Sequence, residues 1–214
     1  MHDAREPGTG GPASERRTAV LVPVASFDGA KSRLGAVLDA EERRDLVERL
    51  LRRTVHAALA TAGVADVVVV SPDPEVLEVA SDAGARAVRQ RSRGLNPALQ
   101  EARAATHADR VLILPADLPA VNPAAVAAVL AAGDAAGRPS VVLAPDRHGG
   151  GTNALLLDPP DVIDPAFGGD SRAGHAWLAS SADAAFVEVP DVLALDVDTP
   201  DDLLLAEAEA IGVD

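Results

Sequence analysis

Short apolar runs alternate along this chain with longer amphipathic segments, and this alternation is the feature that most restricts its fold. The first run, AVLVPV at residues 19–24, contains no charged residue, which is typical of a strand buried on both faces of a sheet. The segment at residues 39–62 then places apolar side chains close to helical spacing among charged ones. Together the two segments predict a buried strand followed by an amphipathic helix.

The same alternation continues through the rest of the chain. Further apolar runs predict strands at residues 66–70, 85–88, 111–114, 141–144 and 154–157. Helices are predicted between them, after the SPDP turn at residues 71–74 and at residues 96–107 and 123–132. Strands separated by helices imply a mostly parallel sheet covered on both faces. We predict a three-layer α/β sandwich, in which ligands bind beyond the carboxyl ends of the strands.

The N-terminal segment differs in composition from the rest of the chain. Residues 1–18 are rich in glycine, proline and charged residues, with too little apolar surface to offset the entropy of ordering them. We predict a disordered tail at residues 1–18 and a single domain at residues 19–214.

Charge and composition exclude several classes of function. A formal charge of -14 would repel a nucleic-acid backbone, so we expect no nucleic-acid partner. The absence of cysteine excludes thiolate catalysis and cysteine-ligated zinc. No apolar run approaches the roughly 18 residues of a membrane span and no signal peptide precedes the first strand, so we expect no membrane partner and a cytoplasmic protein.

The loop after the first strand, PVASFDGAKSRL from Pro23, is a candidate phosphate-binding loop. Lys31 and Arg33 lie just before the long helical segment, where backbone amides and two cationic side chains together suit a triphosphate. The loop does not match a Walker A motif, and the alternative is a solvated basic patch. Its position directly after a buried strand favours phosphate binding.

Asp117 is a candidate metal ligand. In LILPADLP it comes immediately after an apolar strand, where a carboxylate points into the ligand cleft. Oxygen ligands suit Mg2+, which usually binds few carboxylates together with substrate phosphates. The alternative is that Asp117 caps a turn, although Pro119 and Pro123 already shape that turn.

A second candidate ligand lies in DVDTPDDLL, which follows the apolar stretch at residues 192–195. Asp196 and Asp198 share one face if the chain is still extended there. Thr199 and Asp202 are explained as the N-cap and third residue of a helix that begins at Pro200. Asp198 is therefore the predicted second ligand, with Asp196 as its competitor.

Two glycine-rich segments are candidate sites for a second substrate. In APDRHGGGTNA three consecutive glycines let the backbone approach a bound group, and Thr152 can donate to a carboxylate or phosphate; the alternative is a plain hairpin. In FGGDS, residues 167–171 precede a helix whose N-terminal amides and Ser171 hydroxyl suit an anionic acceptor. His175 on that helix is interpreted as a packed residue rather than an acid or base.

Seven segments, taken in order, resemble one known family. They are PVASFDGAKSRL, SPD at residues 71–73, RGLNPAL at residues 93–99, LILPADLP, APDRHGGGTNALLL, FGGDS and LDVDTPDDL. They resemble the guanylyltransferases of deazaflavin coenzyme F(420) biosynthesis, which act on 2-phospho-L-lactate or phosphoenolpyruvate. The resemblance runs from about residue 19 to residue 209.

The resemblance implies a nucleotide-diphospho-sugar-transferase-like, Rossmann-type fold and transfer of GMP from GTP to a phosphorylated three-carbon acid, with release of pyrophosphate. It implies that three residues are catalytic: Lys31 contacts the GTP phosphates, and Asp117 and Asp198 bind Mg2+. The implied nucleotide-binding residues are Pro23, Val24, Lys31, Arg33, Ser71, Asp73, Gly94 and Asn96. The implied acceptor-binding residues are Thr152, Gly168 and Ser171, with Gly169 as an alternative to Gly168.

No protein nucleophile is required, because the acceptor phosphate itself attacks the α-phosphorus of GTP. Phosphoenolpyruvate is the predicted acceptor, since the Ala- and Arg-rich composition resembles actinobacterial members that use it; 2-phospho-L-lactate and 3-phosphoglycerate are the alternatives. A relative with another donor or acceptor and a non-catalytic nucleotide-binding protein are the rival hypotheses. The expected partners are GTP and the acid, and a homodimer is compatible with the sequence.

Overall fold

The computed structural model describes residues 16–27 and 29–211 of the chain. Its strands are β1 (Thr18–Pro23), β2 (Val64–Ser71), β3 (Arg86–Arg89), β4 (Arg110–Ile113), β5 (Ser140–Pro145), β6 (Thr152–Asp158) and β7 (Ala185–Glu188). Its helices are α1 (Ala40–Leu59), α2 (Pro74–Asp82), α3 (Leu95–Ala104), α4 (Pro123–Ala136), α5 (Ser171–Ser181) and α6 (Pro200–Ile211). A short 3-10 helix, Ser32–Ala36, precedes α1.

The seven strands form one sheet in the order β3-β2-β1-β4-β6-β5-β7. Strand β6 runs antiparallel to both of its neighbours, and the other neighbouring strands are parallel to each other. The predicted mostly parallel sheet is therefore confirmed. The reversal at β6 follows from the glycine-rich segment, which joins β5 and β6 as a hairpin.

The core lies on both faces of this sheet, because side chains alternate along each strand. Val20 and Val22 of β1 face a cluster with α1, α2 and α4, while Ala19 and Leu21 face a cluster with α3 and α5. The three-layer α/β prediction is thus confirmed. A third, smaller cluster packs Leu34, Leu46, Leu50 and Val197 together, joining the 3-10 helix and α1 to the segment before α6.

Local sequence signals explain where the helices begin. Asp39 and Glu42 form a reciprocal capping box at the start of α1. Asn122 caps α4 through the Ala125 amide, with Pro123 in the first turn. Helix α4 extends to Ala136, four residues beyond the predicted end at residue 132, and stops before Gly137.

One expectation about the chain's organisation is wrong. The predicted tail ends too late, because Thr18 is the first residue of β1 and Arg16 pairs with the buried Asp158 carboxylate; residues 1–15 lie outside the described residues. The apolar stretch at residues 192–195 forms no strand. The edge strand β7, which pairs only with β5, was not predicted. Among the described residues, none of the helices is both long and apolar enough to cross a membrane.

Candidate active site

A cavity of about 440 Å³ opens at the carboxyl ends of β1 and β4. Its walls come from the loop after β1, the loop after β4, the start of α3 and the segment before α6; they include Pro23, Val24, Lys31, Arg33, Leu95, Asp117, Phe167 and Asp198. A second cavity of about 350 Å³ shares Pro23, Val24 and Leu95 with the first and continues to Gly94 and Arg93. The two cavities therefore adjoin each other at the edge of the sheet where ligands bind in open α/β folds, and together they are called the cleft here.

Three carboxylates converge at one end of this cleft. Asp117, Asp196 and Asp198 each place a carboxylate oxygen within 4.8 Å of the other two. All three side chains are half-buried. The sequence analysis gave Asp196 and Asp198 as alternatives for the second metal ligand, and the structure places both beside Asp117. This set of hard oxygen donors fits a divalent cation such as Mg2+.

The chain between Leu195 and Thr199 explains this convergence. The Val197 amide donates to the Asp117 carbonyl at 3.0 Å, which joins the two loops. The Val197 side chain is buried in the third cluster, so its neighbours Asp196 and Asp198 point the other way, toward the cleft. The predicted helix cap is confirmed, since the Asp202 carboxylate accepts from the Thr199 hydroxyl at 2.8 Å and from the Thr199 amide at 2.7 Å.

Two residues that sequence analysis did not single out also hold this segment. Asn153 on β6 donates through Nδ2 to the carbonyls of Leu193 and Ala194, at 2.9 and 3.0 Å. The Arg147 amide donates to the Ala194 carbonyl at 2.8 Å, and its guanidinium pairs with Asp202. Both residues lie in the motif APDRHGGGTNA, which was the available signal, but their partners are at least 40 residues away in the sequence.

Lys31 places its ammonium group between two of the carboxylates. Its Nζ lies 2.7 Å from Asp117 Oδ2 and 2.7 Å from Asp198 Oδ1, and its side chain is 13% exposed. Burial acts to lower the pKa of Lys31, but the charges and hydrogen bonds of Asp117 and Asp198 outweigh it and raise the pKa. The group is therefore a permanent cation at the position where negative charge is concentrated. Its predicted contact with GTP phosphates stays a prediction.

Asp196 and Arg33 are two further ionisable residues at the carboxylate end of the cleft. Burial raises the pKa of Asp196, and the neighbouring charges of Asp117 and Asp198 raise it further. Arg33 lies at the rim, with Nη1 3.8 Å from Asp198 Oδ2 and 74% of its side chain exposed.

The residues predicted to lie near guanine and ribose separate into two groups. Gly94 lines the second cavity and begins α3 with a φ of 96°, a backbone conformation that favours glycine. Ser71 instead donates to the Ala25 carbonyl at 3.2 Å. Both amide atoms of Asn96 bond to the Phe167 backbone, at 3.0 and 2.8 Å. Ser71 and Asn96 therefore hold cleft-lining backbone in place.

Asp73 also acts on the loop after β1. Its Oδ2 accepts from the Ser26 hydroxyl at 2.7 Å and the Phe27 amide at 3.1 Å, while Oδ1 accepts from the Glu75 amide at 2.9 Å and caps α2. Burial acts to raise the pKa of Asp73, but these hydrogen bonds outweigh it and lower the pKa. One carboxylate thereby ties the cleft-lining loop to a helix start.

The predicted acceptor residues lie together beside the cleft. Thr152 Oγ1 is 3.0 Å from Ser171 Oγ and 3.2 Å from His175 Nδ1, and all three side chains are buried. Gly168, with a φ of 142°, lies in the turn between Phe167 and α5. Gly169 follows it in the same exposed turn.

The three-glycine turn approaches a carboxylate of its own. The amides of Gly150 and Gly151 both donate to Asp146 Oδ1 at 2.9 Å. A Cβ on Gly151 would lie 2.9 Å from Asp146 Oδ2. The predicted contact of this turn with a substrate stays a prediction.

The family model described as "Guanylyl transferase CofC like" matches residues 18–207 of the chain. The chain belongs to this guanylyltransferase family. Members of the family that resemble it include the phosphoenolpyruvate guanylyltransferases of Rubrobacter xylanophilus (47% identical, covering 88% of this chain and 92% of the relative) and Sphaerobacter thermophilus (45%, covering 87% and 90%). That of Conexibacter woesei is 43% identical and covers 87% of this chain and 85% of the relative.

Two solved structures of other transferases share the fold of this guanylyltransferase. A putative nucleotide-diphospho-sugar transferase from Desulfovibrio desulfuricans G20 matches with a TM-score of 0.70 and 20% identity, over 89% of this chain and 85% of that chain. CMP:2-keto-3-deoxy-manno-octonic acid synthetase, solved with CTP, matches with a TM-score of 0.64 and 17% identity, over 92% and 100%. At this identity the likeness establishes the fold, and it confirms the nucleotide-diphospho-sugar-transferase-like prediction.

Proposed function

We propose that this protein transfers GMP from GTP to phosphoenolpyruvate in coenzyme F(420) biosynthesis, releasing pyrophosphate and forming enolpyruvyl-diphospho-guanosine. The observation that carries the proposal is the cluster of Lys31 with Asp117, Asp196 and Asp198 at one end of the cleft. The relatives named phosphoenolpyruvate guanylyltransferase, 43 to 47% identical over most of the chain, support the choice of reaction and acceptor. We place the reaction in the cytoplasm.

The two cavities suit the two ends of GTP. The first contains Lys31, Arg33 and two of the clustered carboxylates and would hold the phosphates, while the second is lined by Gly94 and largely apolar groups and would hold guanine. Pro23 and Val24 border both cavities and would lie along the ribose. Together the cavities reach the size range of small-molecule sites.

Asp117, Asp196 and Asp198 would hold Mg2+ through their carboxylate oxygens. A bound Mg2+ would supply charge neutralisation on the GTP phosphates and on the leaving pyrophosphate. The position of the Lys31 ammonium between Asp117 and Asp198 supports this assignment, because it shows that two of these carboxylates already accept a cation. Glucosyl-3-phosphoglycerate synthase of Mycobacterium tuberculosis, which has the same fold (TM-score 0.62, 14% identical, 92% of this chain and 77% of that chain), was solved with Mn2+ and UDP.

The chemistry needs no base from the protein. An oxygen of the acceptor phosphate attacks the α-phosphorus in line, the new P–O bond forms, and the bond to the bridging oxygen breaks so that pyrophosphate leaves with the electron pair. The acceptor phosphate is already largely deprotonated at pH 7, because its second pKa is about 6. The protein contributes position and positive charge, with Lys31 offsetting the charge that develops on the phosphates.

Thr152, Gly168 and Ser171 would hold the acid. The paired hydroxyls of Thr152 and Ser171 can offer one proton to a carboxylate or phosphate, and the exposed turn at Gly168 leaves room for the acid to approach the start of α5. Phe167, which precedes this turn, lines the cleft within reach of the nucleotide end. The acid's phosphate would thereby face the α-phosphorus of GTP.

Pyrophosphate release tests the proposal directly. The protein is incubated with Mg2+ and GTP, and phosphoenolpyruvate, 2-phospho-L-lactate or 3-phosphoglycerate is supplied one at a time, with ATP and CTP as donor controls. We expect release with GTP and phosphoenolpyruvate. Release only with another of these acids replaces the acceptor, whereas no release with any combination refutes the enzymatic proposal and favours a non-catalytic nucleotide-binding role.

A further inference from the structure

His175 is a buried imidazole that the proposed chemistry does not use. It lies on α5 with 0% of the residue exposed, and its ring meets the Phe167 ring edge-on, with 5.1 Å between centroids. Phe167 in turn lines the cleft. His175 therefore lies directly behind the residues that would hold the acceptor.

The hydrogen bonds of His175 define which ring nitrogen carries the proton. The Ala166 backbone amide lies 3.0 Å from His175 Nε2, and an amide N–H can only donate. Nε2 must therefore accept and carry no proton. In the neutral ring the proton is then on Nδ1, which lies 3.2 Å from Thr152 Oγ1. A protonated ring would direct an N–H at the Ala166 amide, so this environment selects the neutral form.

The proton on Nδ1 sets the order of the next two hydroxyls. Since Nδ1–H donates to Thr152 Oγ1, the Thr152 hydroxyl is free to donate to Ser171 Oγ, 3.0 Å away. When Ser171 Oγ accepts this proton, its own proton is directed away from Thr152 toward another acceptor. Within residues 16–27 and 29–211, Ser171 Oγ has no other hydrogen-bond partner. This proton is the donor left for an anionic oxygen of the acceptor.

We propose that His175 is a positioning residue of the acceptor site, which orders the hydroxyls of Thr152 and Ser171 so that Ser171 donates to the bound acid. The inference rests on the proposed function, which assigns these hydroxyls to the acceptor. The ring acts on the acid through Nδ1 and Thr152, while the Ala166 amide on Nε2 fixes the tautomer.

Steady-state kinetics on a double-mutant cycle tests this role. In His175→Phe the Thr152 oxygen loses its donor, so the Ser171 hydroxyl turns back toward it and away from the acid. We expect the KM for phosphoenolpyruvate to rise about 10- to 100-fold in His175→Phe and in Ser171→Ala, with the KM for GTP unchanged. The double variant is expected to be no worse than Ser171→Ala alone. Multiplying effects, or equal losses for GTP and the acid, would overturn the inference.

A second pair of variants serves if His175→Phe does not fold. The side-chain amide of His175→Asn lies near the former Nδ1 and can still donate to Thr152, whereas that of His175→Gln lies near the former Nε2. We expect His175→Asn to keep a near-normal KM for the acid and His175→Gln to raise it. The opposite order would contradict a role through Thr152.

The tautomer itself can be measured without any substrate. Long-range 1H–15N spectra of the labelled wild-type protein, with the His175 signals identified by their loss in His175→Asn, report which nitrogen is protonated. We expect a proton on Nδ1 and none on Nε2, and the reverse tautomer overturns the proposed order. A wild-type protein that releases no pyrophosphate refutes the proposed function instead, and the spectra still decide the hydroxyl order.

Discussion

Lys31 Nζ and Asp117 Oδ2 lie 2.7 Å apart, although 86 residues separate them in the chain. A cation and a carboxylate in this contact join the loop after β1 to the loop after β4. The pair lies at the end of the cleft where Asp196 and Asp198 also converge. Its consequences for catalysis and stability can be tested separately.

Replacement of Asp117 should separate catalysis from folding. Asp117→Asn keeps the shape of the side chain but removes a charged metal ligand, so we expect pyrophosphate release to fall by more than about 1000-fold while Tm stays within about 3 °C. Asp109→Asn is the matched control, because this half-buried carboxylate lies just before β4, at the opposite end of the strand, and should retain activity. Near-normal turnover by Asp117→Asn would reject the metal assignment.

The Asp196 carboxylate should lower the free energy of unfolding of the metal-free protein. Its pKa is raised from the ordinary 3.8 by burial and by two like charges, so the folded state disfavours the ionised form. Asp196→Asn is expected to be more stable than wild type at pH 7.5, by about 1 kcal/mol or about 2 to 4 °C in Tm. The advantage should shrink as pH falls through the raised pKa toward 3.8, because the wild-type carboxyl then becomes protonated.

Mg2+ provides the control for this prediction. Added Mg2+ should raise the Tm of wild type and remove the advantage of Asp196→Asn, measured by differential scanning fluorimetry. An advantage that persists unchanged at saturating Mg2+ would contradict the participation of Asp196 in the site.

Asp73 should affect GTP through the loop after β1 rather than by contact with the nucleotide. Asp73→Asn can retain one acceptor oxygen for the α2 cap but loses the second acceptor that holds Ser26 and Phe27. We expect the KM for GTP to rise about fivefold to tenfold. Asp73→Ala should show the same KM and about 1 kcal/mol lower stability, because it also loses the cap.

Nucleotide analogues distinguish the two roles of Asp73. A displaced loop should weaken GTP, ITP and 2'-deoxy-GTP alike in Asp73→Asn. A loss confined to one of these nucleotides would instead indicate direct contact with guanine or with the ribose 2'-hydroxyl.

Alanine substitutions at two adjacent glycines of the β5–β6 turn should have very different effects on stability. A Cβ on Gly151 would lie 2.9 Å from the Asp146 carboxylate, whereas the nearest atom to a Cβ on Gly150 is Asp170 Oδ1 at 4.0 Å. We expect Gly151→Ala to lose about 1 to 3 kcal/mol in urea unfolding and Gly150→Ala to stay within about 0.5 kcal/mol of wild type. Equal stability of the two variants would show that the contact with Asp146 is readily relieved.

The burial of His175 should appear as a pH-dependent stability. Burial lowers the pKa of His175 from 6.5 to about 4, so the unfolded chain binds the proton more tightly than the folded protein. This contribution is present above about pH 6.5 and is lost as pH falls toward 4. The stability deficit of His175→Asn should therefore narrow by about 2 kcal/mol between pH 7 and pH 5.

Chemical unfolding at both pH values measures this difference. A deficit of His175→Asn that stays constant over this range would show that the imidazole titrates equally in the folded and unfolded states.

Much of the fold was readable from local patterns. The charged-residue-free run at residues 19–24 and the helical spacing at residues 39–62 correctly indicated β1 and α1, because burial patterns repeat between residues close in sequence. Strand β7 was not predicted because it has only four residues and lies at the edge of the sheet, where its side chains are incompletely buried. The end of the tail was misplaced because Arg16 is ordered by Asp158, 142 residues away.

The sequence by itself determined the alternation of β1 to β6 with their helices, the cap at Thr199, and the presence of three aspartates after apolar segments. Only the tertiary structure decided that Asp117, Asp196 and Asp198 meet at Lys31, and that Thr152, Ser171 and His175 form one chain of hydrogen bonds. The physical reason is the separation along the sequence over which each interaction acts. Periodicity and capping act between neighbours in sequence, whereas a side chain's charge and hydrogen-bond partners depend on which loops the packed sheet brings together.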